Sequence, residues 1–385
     1  MKIAISLLSA SSYGSVAYAN GLLPALAEVD KCNEYHIFVS GESKFKQLVL
    51  QDNFVFHECL GRNKSCLKRF LWEQLILPKI LRRKDVDIVF TGKNLNIFGA
   101  CCKTVISIRN VEPFSYTRYK NHWKLNVMSW LRRALARLSI DSSDRIIAVS
   151  EAAKNCVEDF SRKAIGKTRI IYNGNPVVDK QRPTQSLDHP CGFLLTASKF
   201  VAYANQAGLI EGYALLTRRK PDTPPLWIAG GVLDRDYFER VKKQIQSCGV
   251  EDKVKILGLV SHQRLIELYS HASAFLFPST LEACPQTLVE AMACGVPIAA
   301  SNVPPMPEIC EDGAIYFEPF DPADIAEKID RLISDQTLRC TLTQKAVARS
   351  RFFSWTKSAR QIVNVFENVC KYDSSIIESP ITSKL

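Results

Sequence analysis

Short apolar runs alternate with amphipathic stretches along almost the entire chain. Apolar runs bounded by Gly, Pro, Asn or Asp are typical of buried strands, and apolar residues repeated at three-and-four spacing are typical of amphipathic helices. The predicted strands cover residues 2–8, 35–39, 87–91, 104–108, 145–150, 169–172, 192–197, 226–230, 253–257, 274–277 and 298–300. The predicted helices cover about 15–27, 67–82, 151–160, 205–217, 235–247, 262–270, 321–334, 337–350 and 355–371. This alternation, with strands that are apolar on both faces, predicts an α/β protein built on parallel sheets.

The alternation is interrupted near the middle of the chain. The turn-forming run Asn173-Gly174-Asn175-Pro176 precedes a polar stretch with two prolines and little periodicity. We therefore predict, in order, a first domain, a linker, a second domain, a helix that packs back on the first domain, and a polar tail, over residues 1–175, 176–190, 191–354, 355–372 and 373–385. Ligands of such domains bind at the carboxyl ends of the strands, so the loops there are the first place to look for a site.

The composition is that of a reduced globular protein. Hydrophobic residues make up 46% and charged residues 23% of the chain, and this composition excludes a disordered protein. The length of 385 residues favours two domains. The 13 cysteines are scattered without a Cys-x-x-Cys pair, so neither a disulfide framework nor a zinc site is indicated. The first residues imitate a signal peptide, but their apolar run serves equally well as a buried first strand. No apolar run approaches the roughly 20 residues that span a bilayer, and we expect a cytoplasmic protein.

Positive charge is concentrated in the first half. Residues 1–180 carry 28 Lys+Arg and 16 Asp+Glu (28 − 16 = +12), and residues 181–385 carry 22 and 23 (22 − 23 = −1). Residues 113–140 contain no acid but hold Arg118, Lys120, Lys124, Arg132, Arg133 and Arg137, with Trp123 and Trp130 among them. From Trp123 onwards the apolar residues fall at helical spacing, at Val127, Trp130, Leu131, Ala134 and Leu138.

Such a basic amphipathic helix suits an anionic membrane surface, so residues 118–138 are a candidate membrane contact. The alternative is an ordinary surface helix whose apolar stripe packs on the sheet. Nucleic-acid binding is a weaker hypothesis, because no binding motif accompanies the charge.

Residues 275–301, FLFPSTLEACPQTLVEAMACGVPIAAS, carry the main chemical signal. They predict a strand, a loop, a short helix that begins near Thr287, a tight turn and another strand. A helix start offers backbone N–H groups and a positive dipole end, which suit a phosphate. Glu282 and Glu290 flank that start. The pattern suggests a ligand with both a diphosphate and hydroxyl-rich sugars.

A second glycine-containing turn follows the first strand, where Gly14 and Ser15 open a helix. It resembles a phosphate-facing turn, but one glycine alone also fits an ordinary strand-to-helix loop.

Several segments in order resemble retaining glycosyltransferases of family 4, in particular bacterial polysaccharide- and lipopolysaccharide-assembly members. The strongest is E-x7-E followed by EAMACGVPIAAS; others are RFLWEQLILPKIL, IRNVEPF, DRIIAVSE, IIYNGN, LWIAGG and VKILGLVS. The resemblance covers most of the chain. It implies the GT-B fold, in which two Rossmann-like parallel-sheet domains face each other across a cleft, with the donor held by the second domain and the acceptor by the first.

The resemblance also implies roles for individual donor-side residues. Glu290 is expected to bind the ribose hydroxyls of a nucleotide, and Glu282 the hydroxyls of the donor sugar. Backbone groups around Thr287 and Leu288 would hold the diphosphate, beside Cys284 in the preceding loop. The remaining donor-side positions are Gly14 and Ser15 near the distal phosphate, and Gly258 and Val260, which would frame the base.

Two departures from the family pattern concern catalysis. The family usually places two cations on the diphosphate; Lys199 fills the first position, but the second is Ala204. Arg109 is a candidate replacement. Many members also carry a histidine near the acceptor, where this chain has Arg109-Asn110. Asn110 can orient a hydroxyl but cannot act as a base near neutral pH.

No metal or cofactor is expected. The family needs none, and the pairs of aspartates in the chain sit at predicted element boundaries where caps and turns favour aspartate: Asp85/Asp87, Asp141/Asp144 and Asp234/Asp236.

We therefore expect a retaining hexosyltransferase at the inner face of the plasma membrane. It would move a sugar from a nucleotide-diphosphate donor to a hydroxyl of a lipid-linked glycan, with Glu282 and Lys199 as the catalytic residues. The alternative is a sugar-nucleotide-binding pseudoenzyme or a partner subunit of another transferase, which Ala204 and the single Gly14 motivate.

Overall fold

A computed structural model describes residues 1–8, 13–41, 44–49, 51–60, 65–115, 127–175, 177 and 192–377. The strands are β1 (Lys2–Ser6), β2 (Glu34–Ser40), β3 (Phe54–Leu60), β4 (Ile88–Thr91), β5 (Lys103–Ile108), β6 (Arg145–Ala148), β7 (Thr168–Ile170), β8 (Leu194–Ala197), β9 (Leu226–Ala229), β10 (Val254–Gly258), β11 (Ala274–Phe277), β12 (Ile298–Ser301) and β13 (Ile315–Phe317). The helices are α1 (Tyr13–Val29), α2 (Cys66–Leu75), α3 (Leu77–Arg83), α4 (Val127–Ser142), α5 (Glu151–Phe160), α6 (Gln206–Arg219), α7 (Arg235–Cys248), α8 (His262–His271), α9 (Gln286–Cys294), α10 (Met306–Cys310), α11 (Pro322–Ser334), α12 (Gln336–Ser350) and α13 (Trp355–Ile377).

The chain divides into two compact units, each built on one parallel sheet. The first unit comprises Met1–Gly174 and Ser354–Leu385, and the second comprises Asn175–Phe353. The strand order is β3-β2-β1-β4-β5-β6-β7 in the first sheet and β10-β9-β8-β11-β12-β13 in the second. All the pairings are parallel. The predicted fold class, two Rossmann-like α/β domains, is confirmed.

Each sheet reverses its strand order at one point, between β1 and β4 in the first and between β8 and β11 in the second. The connections on the two sides of such a point leave in opposite directions, which opens a crevice at the carboxyl ends of the strands. The loops after these four strands are therefore the places where each unit can hold a ligand.

In the first unit, α1 and α13 cover one face of the sheet. Trp355, Ile362 and Phe366 of α13 are buried with residues of α1 and of the central strands. Gly21 of α1 makes this packing possible, because a Cβ atom there would lie 2.1 Å from Cε2 of Trp355. On the other face, α3 packs against β1, β2 and β4 through Leu77 and Leu81. The C-terminal helix is thus part of the core of the first unit.

The second unit has a similar buried core. Side chains of β8, β9 and β11 pack against α6, α7 and α11, through Leu194, Ile228, Leu276, Tyr213, Val241, Ile325 and Ile329.

The structure differs from the predicted elements in three places. Residues 67–82 form two helices rather than one, because Pro78 follows the break at Ile76 and has no N–H to continue the ladder of α2. The edge strands β3 and β13 and the short helix α10 were not predicted. In β3 the sequence mixes polar with apolar residues, as an edge strand can. Except for Val177, the predicted linker lies outside the described residues, and α13 continues into the predicted tail.

Candidate functional site

The loops after β8 and β11 meet at the switch point of the second sheet. The carbonyl oxygen of Tyr203 accepts a hydrogen bond from the Thr280 N–H (2.7 Å) and lies 3.0 Å from Thr280 Oγ1. It also lies 3.2 Å from Ser279 Oγ. Ser279 and Thr280 are both buried. These contacts hold the loop that carries Glu282 against the loop that carries Lys199.

Glu282 lies half-buried in this crevice. Its Oε1 accepts a hydrogen bond from Ser279 Oγ at 3.0 Å. Burial raises the pKa of Glu282 to about 7, against the opposing effects of the Ser279 hydroxyl and of the positive charge on Lys199. Near neutral pH the carboxyl can therefore donate or accept a hydrogen bond, which suits recognition of hydroxyl groups.

Helix α9 begins immediately after Pro285, which supplies no N–H and no side-chain cap. The N–H groups of Leu288 and Val289 donate to the Pro285 carbonyl at 3.1 and 3.2 Å. The backbone N–H groups of Gln286 and Thr287 donate to no backbone carbonyl in the part of the chain that the structure describes. The helix start therefore offers the amides of Gln286 and Thr287 to an anion, whereas the Leu288 amide is already used.

Glu290 lies one turn further along α9 and is 5% exposed. Its Oε1 lies 3.1 Å from Nε2 of His262, the first residue of α8. The adjoining Ser261 caps α8 by accepting a hydrogen bond from the Arg264 N–H. Tyr269 of the same helix donates its hydroxyl to the Thr287 carbonyl at 3.0 Å, which fixes α8 against α9.

His262 was not predicted from the sequence, because the six histidines have no ligand spacing. The available signal was its place directly after the Gly258–Val260 loop, which was expected to frame a base.

The loops after β9 and β10 complete this edge of the second sheet. The Gly230 N–H donates to the Gly258 carbonyl at 2.8 Å. Gly230 has a φ of +155° and approaches the Ser198 carbonyl so closely that a Cβ atom would lie 1.8 Å from that oxygen. Val260 is half-buried, and the neighbouring Leu259 is 72% exposed. An exposed leucine beside close-packed glycines is a suitable surface for a planar base.

Lys199 is exposed and its backbone is held by Gln206, whose Nε2 donates to the Lys199 carbonyl (3.0 Å) and to Ser198 Oγ (2.9 Å). Ala204 is buried, at 1% exposure. Cys284 is half-buried in the loop before α9. Eight of the predicted site residues thus belong to the second unit, in loops, at the end of β10 or in α9: Lys199, Gly258, Val260, Glu282, Cys284, Thr287, Leu288 and Glu290.

The other predicted residues belong to the first unit. Arg109 donates from Nη1 to the Gly92 carbonyl (3.0 Å) and from Nη2 to the Gly14 carbonyl (2.8 Å). Its guanidinium lies 3.9 Å from the centre of the Tyr18 ring. Arg109 thereby holds the start of α1, which carries Gly14 and Ser15, against the loop after β4. These contacts of the guanidinium all lie within the first unit, and the replacement by Arg109 of the cation missing at position 204 stays a prediction.

Asn110 is tied to the same edge of the first sheet. Its carbonyl accepts a hydrogen bond from Asn94 Nδ2, and its Oδ1 accepts one from the Glu112 N–H at 2.9 Å. Burial raises the pKa of Glu112 above its ordinary value.

A buried ion pair at the switch point of the first sheet was not predicted. Glu73 of α2, 1% exposed, contacts Nζ of Lys93 and accepts a hydrogen bond from Ser6 Oγ at 2.7 Å. Ser6 ends β1, and Lys93 follows β4. The signal was present in the sequence, because Glu73 shares helical four-residue spacing with Leu77 and Leu81, which are both buried.

The apolar stripe of α4 faces outward. Trp130, Leu131 and Leu138 are 63%, 50% and 56% exposed, whereas Ser129, Ala136, Ser139 and Ile140 form the buried face. The alternative that the stripe packs on the sheet is therefore wrong for these residues. The part of the predicted membrane contact before Val127, with Arg118, Lys120, Trp123 and Lys124, lies outside the described residues.

Two of the arginines on α4 interact with the first unit itself. Arg133 donates to the Pro113 carbonyl at 3.0 Å, and Arg137 donates to the Phe160 carbonyl. Both guanidinium groups also lie over the Phe160 ring, at 4.6 and 5.4 Å from its centre. Arg132 is exposed.

Within the described ranges, no helix is both long enough and apolar enough to cross a membrane. In the same residues, no three His, Cys, Asp or Glu side chains converge as they would around a metal ion.

Comparison with known proteins assigns the chain to a family. Residues 14–177 match the family model described as Glycosyltransferase Family 4, and residues 177–349 match the model described as Glycosyl transferases group 1. The O-antigen chain mannosyltransferase B of Escherichia coli is 28% identical over 375 residues, which cover 91% of this chain and 94% of that protein.

Two solved structures share the fold. The Anabaena HepE structure in complex with UDP and glucose has a TM-score of 0.71 at 20% identity, covering 96% of this chain and 100% of that chain. WaaG, a glycosyltransferase involved in lipopolysaccharide biosynthesis, has a TM-score of 0.71 at 14% identity, covering 94% and 99%. The chain is a glycosyltransferase of family 4 with the GT-B fold, similar to enzymes of O-antigen and lipopolysaccharide assembly.

Proposed function

We propose that this protein is a retaining, metal-independent hexosyltransferase that uses a nucleotide-diphosphate sugar. The observation that carries the proposal is the arrangement of Glu282 and Glu290 on either side of the α9 start, at the switch point of the second sheet. The first turn of α9 can bind an anion, and one carboxylate lies on each side of it. This arrangement matches a ligand with hydroxyl groups at both ends and phosphates in the middle.

In this proposal, different groups of the second unit bind three parts of the donor: the nucleoside, the diphosphate and the sugar. Glu290 binds the ribose hydroxyls, beside a base that rests on the loop from Gly258 to Val260. The amides of Gln286 and Thr287 bind the diphosphate, with Lys199 as the side-chain cation. Glu282 binds the donor sugar, as the family resemblance implies.

The proposed chemistry relies on positioning and electrostatic stabilisation. As the nucleoside diphosphate leaves, negative charge grows on its oxygens, and Lys199 and the α9 start stabilise that charge. Glu282 is half-buried and accepts a hydrogen bond from the Ser279 hydroxyl, which suits it to hold hydroxyl groups of the donor sugar. The bond between the anomeric carbon and the phosphate oxygen breaks, and the acceptor oxygen bonds to that carbon on the same face. The leaving phosphate oxygen takes the acceptor proton, and the anomeric configuration is retained.

The proposed acceptor is a lipid-linked glycan at the cytoplasmic face of the plasma membrane. The support is the exposed stripe of Trp130, Leu131 and Leu138 on α4, beside Arg132. Exposed apolar residues with basic neighbours suit the headgroup region of an anionic bilayer. The similarity to the O-antigen chain mannosyltransferase B of Escherichia coli supports a role in cell-surface polysaccharide synthesis.

The experiment is a panel of nucleotide sugars with simple glycosides as acceptors, followed by release of nucleoside diphosphate. The chain is expected to select one donor and release its diphosphate. Glu290→Ala should remove this activity. Glu267→Ala, which removes an exposed glutamate of α8 paired with Arg264, should retain it. Equal activity of Glu290→Ala and the parent chain would contradict the proposed donor site.

A second candidate is a sugar-nucleotide-binding protein without turnover. Ala204 favours it, because a buried methyl group stands where the family usually has a lysine. Thermal stabilisation by a nucleotide sugar, with no release of diphosphate in the presence of any glycoside tested, would identify this alternative.

A further inference from the structure

We propose that Lys93, held by the buried carboxylate of Glu73, binds hydroxyl groups of the acceptor glycan. This inference rests on the proposed transferase function and names an acceptor-side residue that the family resemblance did not supply. Lys93 and Glu73 form the buried ion pair at the switch point of the first sheet.

The position of the pair favours a ligand site. Ser6 ends β1 and Lys93 follows β4, so they lie on the two sides of the point where the strand order of the first sheet reverses. Parallel α/β sheets bind their ligands at this point. In the second unit, the equivalent loops carry Lys199 and Glu282.

The burial of Glu73 also calls for a role beyond stability. Removing an ion from water carries a large desolvation penalty, and an apolar pair of similar volume often stabilises a fold as well or better. Glu73 is 1% exposed, whereas the Lys93 side chain keeps 20% of its surface in solvent. The arrangement therefore hides the carboxylate and leaves part of the Lys93 side chain accessible at the carboxyl edge of the sheet.

The loop that carries Lys93 is fixed from several sides. Thr91 Oγ1 donates to the Leu95 carbonyl at 2.8 Å, and Asn94 contacts both the Arg109 N–H (3.1 Å) and the Asn110 carbonyl. Lys93 is consequently a preorganised donor beside the two residues that were predicted on the acceptor side, Arg109 and Asn110. Preorganisation lowers the entropic cost of binding.

The charge balance of the pair points to neutral hydroxyls as the ligand. An ammonium group has three N–H donors, and Glu73 neutralises its charge. A neutral pair with donors left to offer suits sugar hydroxyls better than a diphosphate, which requires net positive charge.

The test measures binding of methyl α-mannoside, methyl α-glucoside and methyl α-galactoside to the full chain by saturation-transfer NMR, with GDP or UDP present. At least one glycoside should bind, and Lys93→Met should weaken that binding at least tenfold. Glu73→Gln should weaken it too, because Lys93 is no longer held. Lys79→Met, an exposed lysine of α3, should leave it unchanged. If no glycoside binds the parent chain, or Lys93→Met binds as well as the parent, the proposal is wrong.

Stability is separated from binding by the Glu73→Gln/Lys93→Met double variant. It removes both charges, so it should regain thermal stability lost by either single variant. Glycoside binding should not return. If binding returns together with stability, the pair is only structural. Stabilisation by the nucleotide should be equal in all these variants; its absence from the parent chain would instead count against the proposed transferase.

Discussion

At the scale of single residues, the hydroxyl of Ser279 links the two loops of the proposed donor site. Its hydroxyl lies within hydrogen-bond distance of Glu282 Oε1 (3.0 Å) and of the Tyr203 carbonyl (3.2 Å). It can donate to only one of them. When Glu282 is ionised, the hydroxyl donates to the carboxylate; when Glu282 is protonated, it can donate to Tyr203. The protonation of Glu282 therefore changes the hydrogen bonding of the crevice.

The raised pKa of Glu282 predicts a pH-dependent stability. The folded-state pKa, about 7, lies above the ordinary value of 4.5, so the folded chain retains this proton between those pH values while the unfolded chain has lost it. The contribution of this carboxyl group to the free energy of unfolding is fully present below pH 4.5 and is lost as the pH rises to about 7. Residue 282 no longer titrates in Glu282→Gln. Without nucleotide, the free energy of unfolding of this variant, relative to that of the parent chain, should therefore rise by roughly 1–3 kcal/mol from pH 5 to pH 8.

Thermal unfolding of both chains at pH 5 and pH 8 measures this difference. Glu267→Gln is the matched control and should follow the parent chain at both values. A Glu282→Gln variant whose midpoint difference from the parent is the same at both pH values would contradict the raised pKa.

The proposed role of Glu290 predicts a specific coupling to ribose. Glu290→Gln should weaken binding of the nucleoside diphosphate about 10- to 100-fold, because a hydrogen bond to a charged group is worth roughly 1.5–3 kcal/mol. Calorimetry with the 2′-deoxy and 3′-deoxy analogues locates the contact. At least one analogue should bind the parent chain more weakly than the natural nucleotide, and that loss should largely disappear in Glu290→Gln. Equal losses in both chains would mean that Glu290 does not contact ribose.

At the scale of elements, the exposed apolar side chains of α4 predict binding to anionic membranes. Trp130→Ser/Leu138→Ser removes two exposed apolar side chains, and flotation with vesicles that contain anionic lipid should fall several-fold. Arg133 and Arg137 are poor targets, because their loss also removes contacts with Pro113 and Phe160. Leu233→Ser, an exposed leucine of the second unit, is the matched control. Unchanged flotation would exclude the described part of α4 as a membrane contact.

The packing of α1 on α13 determines whether Gly21→Ala raises or lowers the stability of the first unit. Helix propensity alone says that Gly21→Ala should stabilise α1 by about 1 kcal/mol. The new Cβ atom would lie 2.1 Å from the Trp355 ring, so we expect destabilisation of about 1–3 kcal/mol instead. Thermal unfolding decides, with Asn20→Ala at an exposed position of α1 as the control. A stabilised Gly21→Ala chain would show that α13 does not pack as described.

The elements that the sequence predicted well are those whose pattern is decided locally. Buried parallel strands such as β11 and β12 are short apolar runs between turn residues, and they are recognisable without knowledge of their neighbours. The edge strand β3 could not be recognised in this way, because the positions of its polar residues depend on which side of the strand remains exposed to solvent. The exposed stripe of α4 was recognised as apolar, but its direction depends on which face packs on the unit.

The same distinction applies to the site. Glu282 and Glu290 belong to one continuous segment, so spacing and resemblance could identify them together. The partners His262 and Glu73 come from other elements, and only the folded arrangement brings His262 to Glu290 and Glu73 to Lys93. The engagement of Arg109 by Gly14 and Gly92 likewise depends on tertiary contacts.

At the scale of the molecule, the two units carry similar groups in different electrostatic states. Each switch point has a lysine and a carboxylate, Lys93 with Glu73 in the first unit and Lys199 near Glu282 in the second. Glu73 is sealed in an ion pair, whereas Glu282 is half-buried and titrates near pH 7. In the proposed function the first arrangement suits a fixed hydroxyl-binding site, and the second suits a donor whose charge changes during the reaction.

The most direct test of the account is to follow a transfer reaction by proton NMR in the presence of EDTA, with the selected α-linked nucleotide sugar and a glycoside acceptor. We predict a new α-anomeric signal that grows in step with released nucleoside diphosphate, and no such signal with Glu290→Ala. A β-linked product would contradict retention, and a reaction that EDTA abolishes would contradict metal independence. Diphosphate release without any glycosidic product would contradict transfer itself.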